Sequence, residues 1–374
     1  MGVADATVAV ISIMVAMLVH ELAAAAPPAV RVGAIRWDNW NGLAAGGSAA
    51  DTVRCMSPSP WHSRVPFCGK VINASAVDFD CATPEVMREE LAFAARAGID
   101  YWAFVQYANA TSLSAALANY LAEPNKQGVN FAALIQTGNL PSPADADKWA
   151  AFLARYDGYF ARAEYEAVGA ERRPLVFLFG SYSNAAKFGG TSAYAAILQA
   201  WAAHRTQHNL PAPHFVEQDA YNDTFVKQLR EDKAVQSRSS YALGDGKVNG
   251  SYADQMAQNL WRWEHWKANG DDVLPLAATG WDPRDRATDC ASWMPHGEGK
   301  AWTQMPTAGQ VAATVTAAVQ WVCKNSAAAV TRRVLVYAWN ENSEGGWLVP
   351  TLGEGTARVD ALAEAKAAGQ WACK

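Results

Sequence analysis

Hydrophobic positions along this chain fall in short dense runs separated by longer stretches with a helical period. The dense runs cover residues 30–37, 99–106, 129–137, 174–180, 214–219, 236–243, 273–279 and 333–339. Each is rich in Val, Ile, Leu or aromatic residues and bounded by Gly, Pro or Asn, which is the pattern of buried strands. The stretches between them carry helix start signals. Thr83-Pro84 and Ser142-Pro143 each set a capping residue before a proline at the first helical position. Thr307-x-x-Gln310 reads as a capping box at the head of an Ala/Val-rich helix. No linker, low-complexity tract or close repeat divides the chain.

Strands alternating with crossover helices imply a parallel sheet, because consecutive parallel strands need a long return connection. Eight such units within residues 27–374 predict a single domain, an α/β fold of the (β/α)8 barrel type with long loops after its strands. An open doubly wound sheet is the alternative. Its usual signature, G-x-G-x-x-G after the first strand, is absent, since Gly33 is followed by Ala-Ile-Arg. In a barrel, functional groups belong in the loops that follow strands.

The apolar run at residues 8–19 is too short for a membrane span, which takes about 20 residues. With the Ala-rich stretch 22–26 after it, residues 1–26 read as a secretory signal whose cleavage leaves no stable membrane insertion. Asp5, and the lack of Lys or Arg before the run, depart from the usual signal, so an uncleaved anchor is the alternative. Ala6 stands where myristoylation would need Ser or Thr. Six cysteines follow: Cys55, Cys68, Cys81, Cys290, Cys323 and Cys373, none spaced C-x-x-C. An even number behind a secretory signal predicts three disulfides rather than a zinc site. Cys323 and Cys373 fall near the ends of the last two helices, neighbours that run away from the active face, and are expected to pair. The other four fall in loops of the active face, which leaves three pairings open. Sequons at Asn73, Asn109, Asn222 and Asn249 fit a secreted glycoprotein.

Composition narrows the partners. The 374 residues are 51% hydrophobic with a formal net charge of −5, and no basic stripe carries interleaved aromatics. Nucleic acid is not an expected partner. The sixteen tryptophans divide between core packing and flat platforms that can stack on the C–H face of a sugar ring. The strand ends carry the chemistry: Asp38 and Trp40 after the first, Gln106 and Tyr107 after the second, Glu217 and Asp219 on the fifth. Trp281 and Asp282 follow the seventh, and Trp339, Asn340, Glu341, Glu344 and Trp347 close the eighth. Carboxylates, amides and indoles at one end of a barrel suit an oligo- or polysaccharide: two carboxyls flank the bond, amides hold hydroxyls, and aromatics stack on rings. Glu341 and Glu344 are the catalytic candidates, and the remainder are candidate substrate-binding residues. Structural roles compete with these. Asp38 and Asp282 could cap loops, Asp282 and Arg284 could form an ion pair within a turn, and Glu217 and Asp219 could pair with lysines or backbone N–H groups. As residues two apart on a strand, Glu217 and Asp219 would share a face. No metal or cofactor is expected: His204 and His208 are four apart without H-E-x-x-H, and neither a G-x-S-x-G elbow nor a phosphate loop is present.

The segment Ala338-Trp339-Asn340-Glu341-Asn342-Ser343-Glu344-Gly345, with Leu348 and Pro350 beyond it, resembles the closing signature of the WbsX-like and glycoside hydrolase family 99 group. Gly280-Trp281-Asp282 with Arg284 or Arg286 resembles the group's G-W-D-x-x-x-R segment, and Gly98-Ile99-Asp100 resembles the entry to its second strand. The resemblance implies a (β/α)8 fold and retaining, endo-acting hydrolysis of α-mannosides without a metal. It assigns Glu344 as general acid/base and Glu341 as the residue that assists attack by the sugar's own 2-hydroxyl. Asn342 stands where the group usually has Trp, and Ser343 where it often has His or Ala, which leaves the sugar at the reaction centre open. The alternatives are a glycosyltransferase of the WbsX-like type and a non-catalytic carbohydrate-binding or cell-wall protein.

Overall fold

The computed structural model describes residues 29–107, 111–244, 246–287, 290–292 and 300–373. The segment read as a secretory signal and the Asn109 sequon lie outside them. Eight strands of the described residues form the barrel wall: β1 (Arg31–Arg36), β2 (Tyr101–Gln106), β3 (Asn130–Gln136), β4 (Arg173–Phe179), β5 (His214–Glu217), β6 (Ser237–Arg238), β7 (Asp272–Val273 and Leu276–Ala278) and β8 (Arg333–Tyr337), and the short strand Ala167–Val168 pairs antiparallel with the start of β4. Neighbours from β1 to β6 pair in parallel. The ring closes through β7, whose first piece pairs with β6 and whose second pairs with β8, which returns to β1. Pro275 separates the two pieces because it has no N–H for the ladder. The seam still holds: Leu274 N donates to Arg238 O at 2.9 Å, and Leu335 N to Pro275 O at 3.0 Å. The fold is a (β/α)8 barrel.

A helix follows every strand, from Pro84–Ala97 after β1 to Ala308–Lys324 after β7 and Ala357–Ala367 after β8. Thr83 caps the first of these, its hydroxyl accepting from Val86 N, and the Thr307–Gln310 capping box is present. Ser142 does otherwise. Its hydroxyl accepts from Ala144 N in a turn, and Asp145 caps the helix Ala146–Phe160 instead. Strand six also ends early. After Arg238 the hydroxyl of Ser240 bonds to Ala242 O, a local alternative to the ladder, and Tyr241 turns into the barrel mouth.

The two faces of β5 pack differently. Val216 joins the main core, whereas Phe215 packs with Trp201, Tyr194 and Leu229 between sheet and helices. Alternation therefore sends Glu217 toward the helix layer and Gln218 toward the barrel mouth. At the opposite end of the barrel, buried Glu166 accepts from Arg31 and Arg333 at 2.8 and 2.9 Å and ties β1 to β8. This is the face on which barrels concentrate stabilising contacts.

The long loop after β1 is itself structured, with a helix Gly47–Met56 and a hairpin of Gly69–Asn73 and Ala76–Phe79. Cys68–Cys81 clips the ends of that hairpin, and Cys55–Cys290 ties the loop after β1 to the loop after β7. Cys323–Cys373 links the last two helices, the pairing that barrel topology predicts. Among the described residues no helix is long and apolar enough to cross a membrane.

Candidate active site

The E-x-x-E spacing acquires its meaning from a single turn. After β8, Asn340–Glu341 pairs antiparallel with Gly346–Trp347, and the residues between, Asn342–Glu344, form a 3-10 turn. With three residues per turn, positions i and i+3 eclipse, so Glu341 and Glu344 emerge on one side. Two glycines let the neighbouring loop press against this turn. A side chain on Gly280 (φ 140°) would meet Gly345 O at 2.2 Å, and one on Gly345 (φ 79°) would meet Asp282 N at 2.5 Å. In the space they leave, Asp282 N donates to Glu344 O at 2.6 Å.

Arg286 joins the pair. From a short turn after β7 it donates Nε to Ser343 Oγ at 2.6 Å and Nη1 to Glu344 Oε1 at 2.5 Å, while Nη2 lies 3.8 Å from Glu341 Oε2. Burial opposes its charge, but Glu344 and Glu341 more than offset this and raise its pKa. Each glutamate also accepts from a tyrosine, Glu341 from the partly buried Tyr241 and Glu344 from the buried Tyr337. Burial and the two carboxyls raise both phenols far above the ordinary range, so they remain donors. Burial, reinforced by Glu344, pushes Glu341 well above the usual carboxylate range. The carboxyls differ in access: the Glu341 side chain is 3% exposed and the Glu344 side chain 15%.

The pair opens on a cavity of about 370 Å³ walled by Trp37, Tyr107, Phe179 and Tyr241, with Gln136 and Arg286 as further polar groups. Trp37 is held by its own N–H, which donates to Asn340 Oδ1 at 2.8 Å, and by its indole N–H, which donates to Tyr107 OH at 2.7 Å. A second cavity, lined by Gln218, Asp219 and Trp281 among others, shares Phe179, Tyr241 and Glu344 with the first. A third, lined by Gln106, Asn139 and Arg155, shares Tyr107 and Gln136 with it. Together they make one cleft across the barrel mouth.

Of the residues singled out in the sequence, Glu341, Glu344, Tyr107, Trp281, Asp219 and Gln106 line this cleft. The others do not, each for a physical reason. Asp38 is buried in a pair with Arg36 at 2.9 Å, and it borders, with Trp40 and Asn340, a void of only about 10 Å³. Trp40 packs edge-on to Phe79 and donates to Asn340 O at 3.1 Å. Asp282, with no exposure, is clasped by Arg64 and by Arg284 at 2.7 Å, the internal ion pair that competed with a binding role. Trp339 lies in the core against Trp102, and Trp347 lies beneath Arg358 at 3.9 Å. Glu217 is fully buried beside Tyr194, and burial raises its pKa to about 8. Asp219 shares no face with it: its Oδ1 accepts from Tyr221 N and Asn222 N at 3.0 and 2.9 Å.

Sequence reasoning missed Tyr241, Tyr337, Gln136 and Gln218, and left Arg284 and Arg286 unresolved. Strand parity was the available signal for Gln218, because Val216 is apolar and core-facing. Nothing in the local sequence marked Tyr241, which leaves its strand early. Among the described residues no group of three His, Cys, Asp or Glu is placed to hold a metal ion.

Comparison with protein-family models and with curated protein sequences finds no match. Among solved structures, the chain is similar to that of the GH99 endo-alpha-mannosidase from Bacteroides thetaiotaomicron in complex with Bis-Tris propane. The TM-score is 0.56 at 13% identity, over 91% of this chain and 98% of that one. A second structure of the enzyme from that organism gives a TM-score of 0.52 at 13% identity, over 89% and 96% of the two chains. The likeness spans nearly the whole of both chains, and it shows a fold shared with the barrels of glycoside hydrolase family 99.

Proposed function

We propose that this protein is a secreted, retaining glycoside hydrolase that cleaves an α-mannoside-like or related glycan internally. The observation that carries the proposal is the pairing of Glu341 and Glu344 around Arg286 on the wall of an aromatic-lined cleft. The shared fold with endo-alpha-mannosidase structures and the motif around the two glutamates support it.

The chemistry follows from the difference in access. Glu344, the more open carboxyl, gives its proton to the glycosidic oxygen as the bond from that oxygen to C1 breaks. Glu341 takes the proton of the sugar's 2-hydroxyl while that oxygen attacks C1 from the opposite face and closes an anhydro ring. Water then opens the ring at C1, losing its proton to Glu344, and the 2-oxygen recovers a proton from Glu341. Two inversions give net retention. The cycle needs one proton on the pair. Burial favours the protonated form of Glu341. A leaving oxygen seated against Glu344 draws that proton across the pair as the bond to C1 lengthens. Tyr241, Tyr337 and Arg286 hold both carboxyls in place during the exchange.

Purified protein incubated with α-mannan oligosaccharides and a wider glycan panel tests this directly. Released oligosaccharide fragments, with the original anomer seen first by NMR, are the expected result. No release from any glycan, or release of terminal monosaccharides alone, contradicts it. Secretion has its own test. N-terminal sequencing should find a mature chain starting between Ala24 and Pro27, whereas a membrane-bound chain retaining Met1 would establish an anchor.

A further inference from the structure

Three of the four sequons fall among the described residues, and the fold treats them differently. Asn222 is half-buried at the head of the helix Asp223–Glu231, where its Oδ1 accepts from Phe225 N at 2.9 Å. Asn249 is exposed, but its Oδ1 accepts from Gln304 Nε2 at 3.3 Å. The hydroxyl of that sequon, on Ser251, caps the helix Tyr252–Ala268 by accepting from Asp254 N at 3.0 Å. Asn73 differs. It is exposed at the end of the hairpin strand Gly69–Asn73 and pairs with Ala76 across the turn formed by Ala74 and Ser75. Its Oδ1 accepts from Ser75 N at 2.9 Å and from Ser75 Oγ at 3.1 Å, while its Nδ2 has no hydrogen-bond partner among the described residues.

That arrangement suits transfer of a sugar chain to Nδ2. The donor is an oligosaccharyl diphosphate carried on a lipid, the class of co-reactant a secretory pathway supplies. As the bond from Nδ2 to C1 forms, the C1–O bond breaks, the lipid diphosphate leaves, and Nδ2 gives one proton to the transferring enzyme. The Ser75 hydroxyl, donating to Oδ1, draws charge from the carboxamide and eases loss of that proton. Attachment consumes one Nδ2 hydrogen and leaves Oδ1 as an acceptor, so both Ser75 bonds persist in the modified chain. The hairpin also has a surface to cover. Val71 and Ile72, directly before Asn73, are 44% and 56% exposed, and the hairpin forms a sheet of two strands only. An exposed apolar strand edge is a template for pairing with another chain, and a bulky solvated group fixed beside it obstructs that pairing.

We propose that Asn73 is an N-linked glycan acceptor whose glycan covers the Val71–Ile72 edge and keeps it from pairing with a second copy of this chain. The proposal rests on the secretory reading of residues 1–26 and is independent of the hydrolase reading. The test expresses the full chain in a eukaryotic secretory host, beside a version in which a host signal replaces residues 1–26. Mass-spectrometric peptide mapping of the secreted protein should find glycan on Asn73. Asn73→Gln and Ser75→Ala should each lose that glycan, whereas Ser75→Thr, which keeps the sequon, should retain it. By light scattering, the two bare variants should shift to dimers or larger species absent from the glycosylated chain. Adding Ile72→Lys to Asn73→Gln should reverse the shift, because a charge on a strand edge opposes pairing. Asn73 left bare in protein secreted through the host signal, or an Asn73→Gln chain no more associated than the wild type, would overturn the proposal. The two readings fail separately. If the natural chain stays inside the cell while the host-signal version carries glycan on Asn73, the secretory reading falls and the acceptor stands. If the natural chain is secreted with Asn73 bare, the acceptor falls and secretion stands.

Discussion

Arg286 Nη1 sits 2.5 Å from Glu344 Oε1, and this contact joins the loop after β7 to the loop after β8. The same guanidinium lies 3.8 Å from Glu341. Two carboxyls three residues apart repel, and the cation beside them works against the burial that raises the pKa of Glu341.

Replacing Arg286 by Met should therefore move the titration of Glu341 upward. Without the cation, Glu341 keeps its proton to higher pH, so the pH–rate profile of any cleaved substrate should shift to the alkaline side as kcat falls. The fold should weaken too, by about 3–5 kcal/mol, the usual cost of stranding a buried charge. Rates measured across pH, with chemical denaturation alongside, check both. A profile that keeps its position would mean that Arg286 does not set the protonation of Glu341.

The disulfides should separate stability from activity. Cys55–Cys290 ties the loop that begins with Trp37 to the loop that carries Arg286, whereas Cys323–Cys373 joins two helices. Replacing either pair by serines should cost about 2–4 kcal/mol. Loss of Cys55–Cys290 should also lower kcat/KM, because the cleft wall and the cation would no longer be held in register. Loss of Cys323–Cys373 should leave kcat/KM of the folded protein unchanged. Equal kinetic effects would contradict this division.

Glu217 gives a prediction for stability against pH. Burial raises its pKa in the folded chain to about 8, so the folded state binds the proton more tightly than the unfolded state does. The resulting stabilisation is complete below the unfolded value, about 4.3, and is lost as pH rises through 8. Glu217→Gln keeps the neutral shape and removes the titration. Its Tm should match that of the wild type near pH 4 and exceed it increasingly toward pH 9. A constant difference across that range would show that Glu217 is not held protonated by the fold.

How much of this was legible in the sequence depends on the kind of signal. The barrel could be read because each strand is a local event: dense apolar runs such as 129–137 and 333–339 stand out by composition. The Cys323–Cys373 pair followed from topology alone. Residues 236–243 misled, since the Ser240 hydroxyl bonds locally to Ala242 O and Tyr241 leaves the sheet. The site was half legible. Glu341 and Glu344 stand within one turn, which spacing reveals. The difference between Asp282, clasped by Arg64, and Asp219, which lines the cleft, depends on a partner 218 residues away in the one case and on a turn at a strand end in the other. Trp339 and Trp347 show the same limit. Their place beside the glutamates in sequence puts them behind the motif, in the core, because a chain reversing at Asn342–Glu344 buries its flanks.

The division of labour between the glutamates can be separated by leaving group. Glu344→Gln and Glu341→Gln should both fold, since each replacement keeps shape and hydrogen-bonding capacity. Rates for each should be measured on an unactivated glycan and on an aryl glycoside of the same sugar, whose leaving group needs little protonation. Glu344→Gln should lose most turnover of the glycan, by about 10²–10⁴-fold, yet retain much of the aryl glycosylation step. Glu341→Gln should lose both, because attack by the 2-oxygen is needed whatever departs. Wild-type rates retained by both variants on both substrates would contradict the assignment of these two residues to the chemistry.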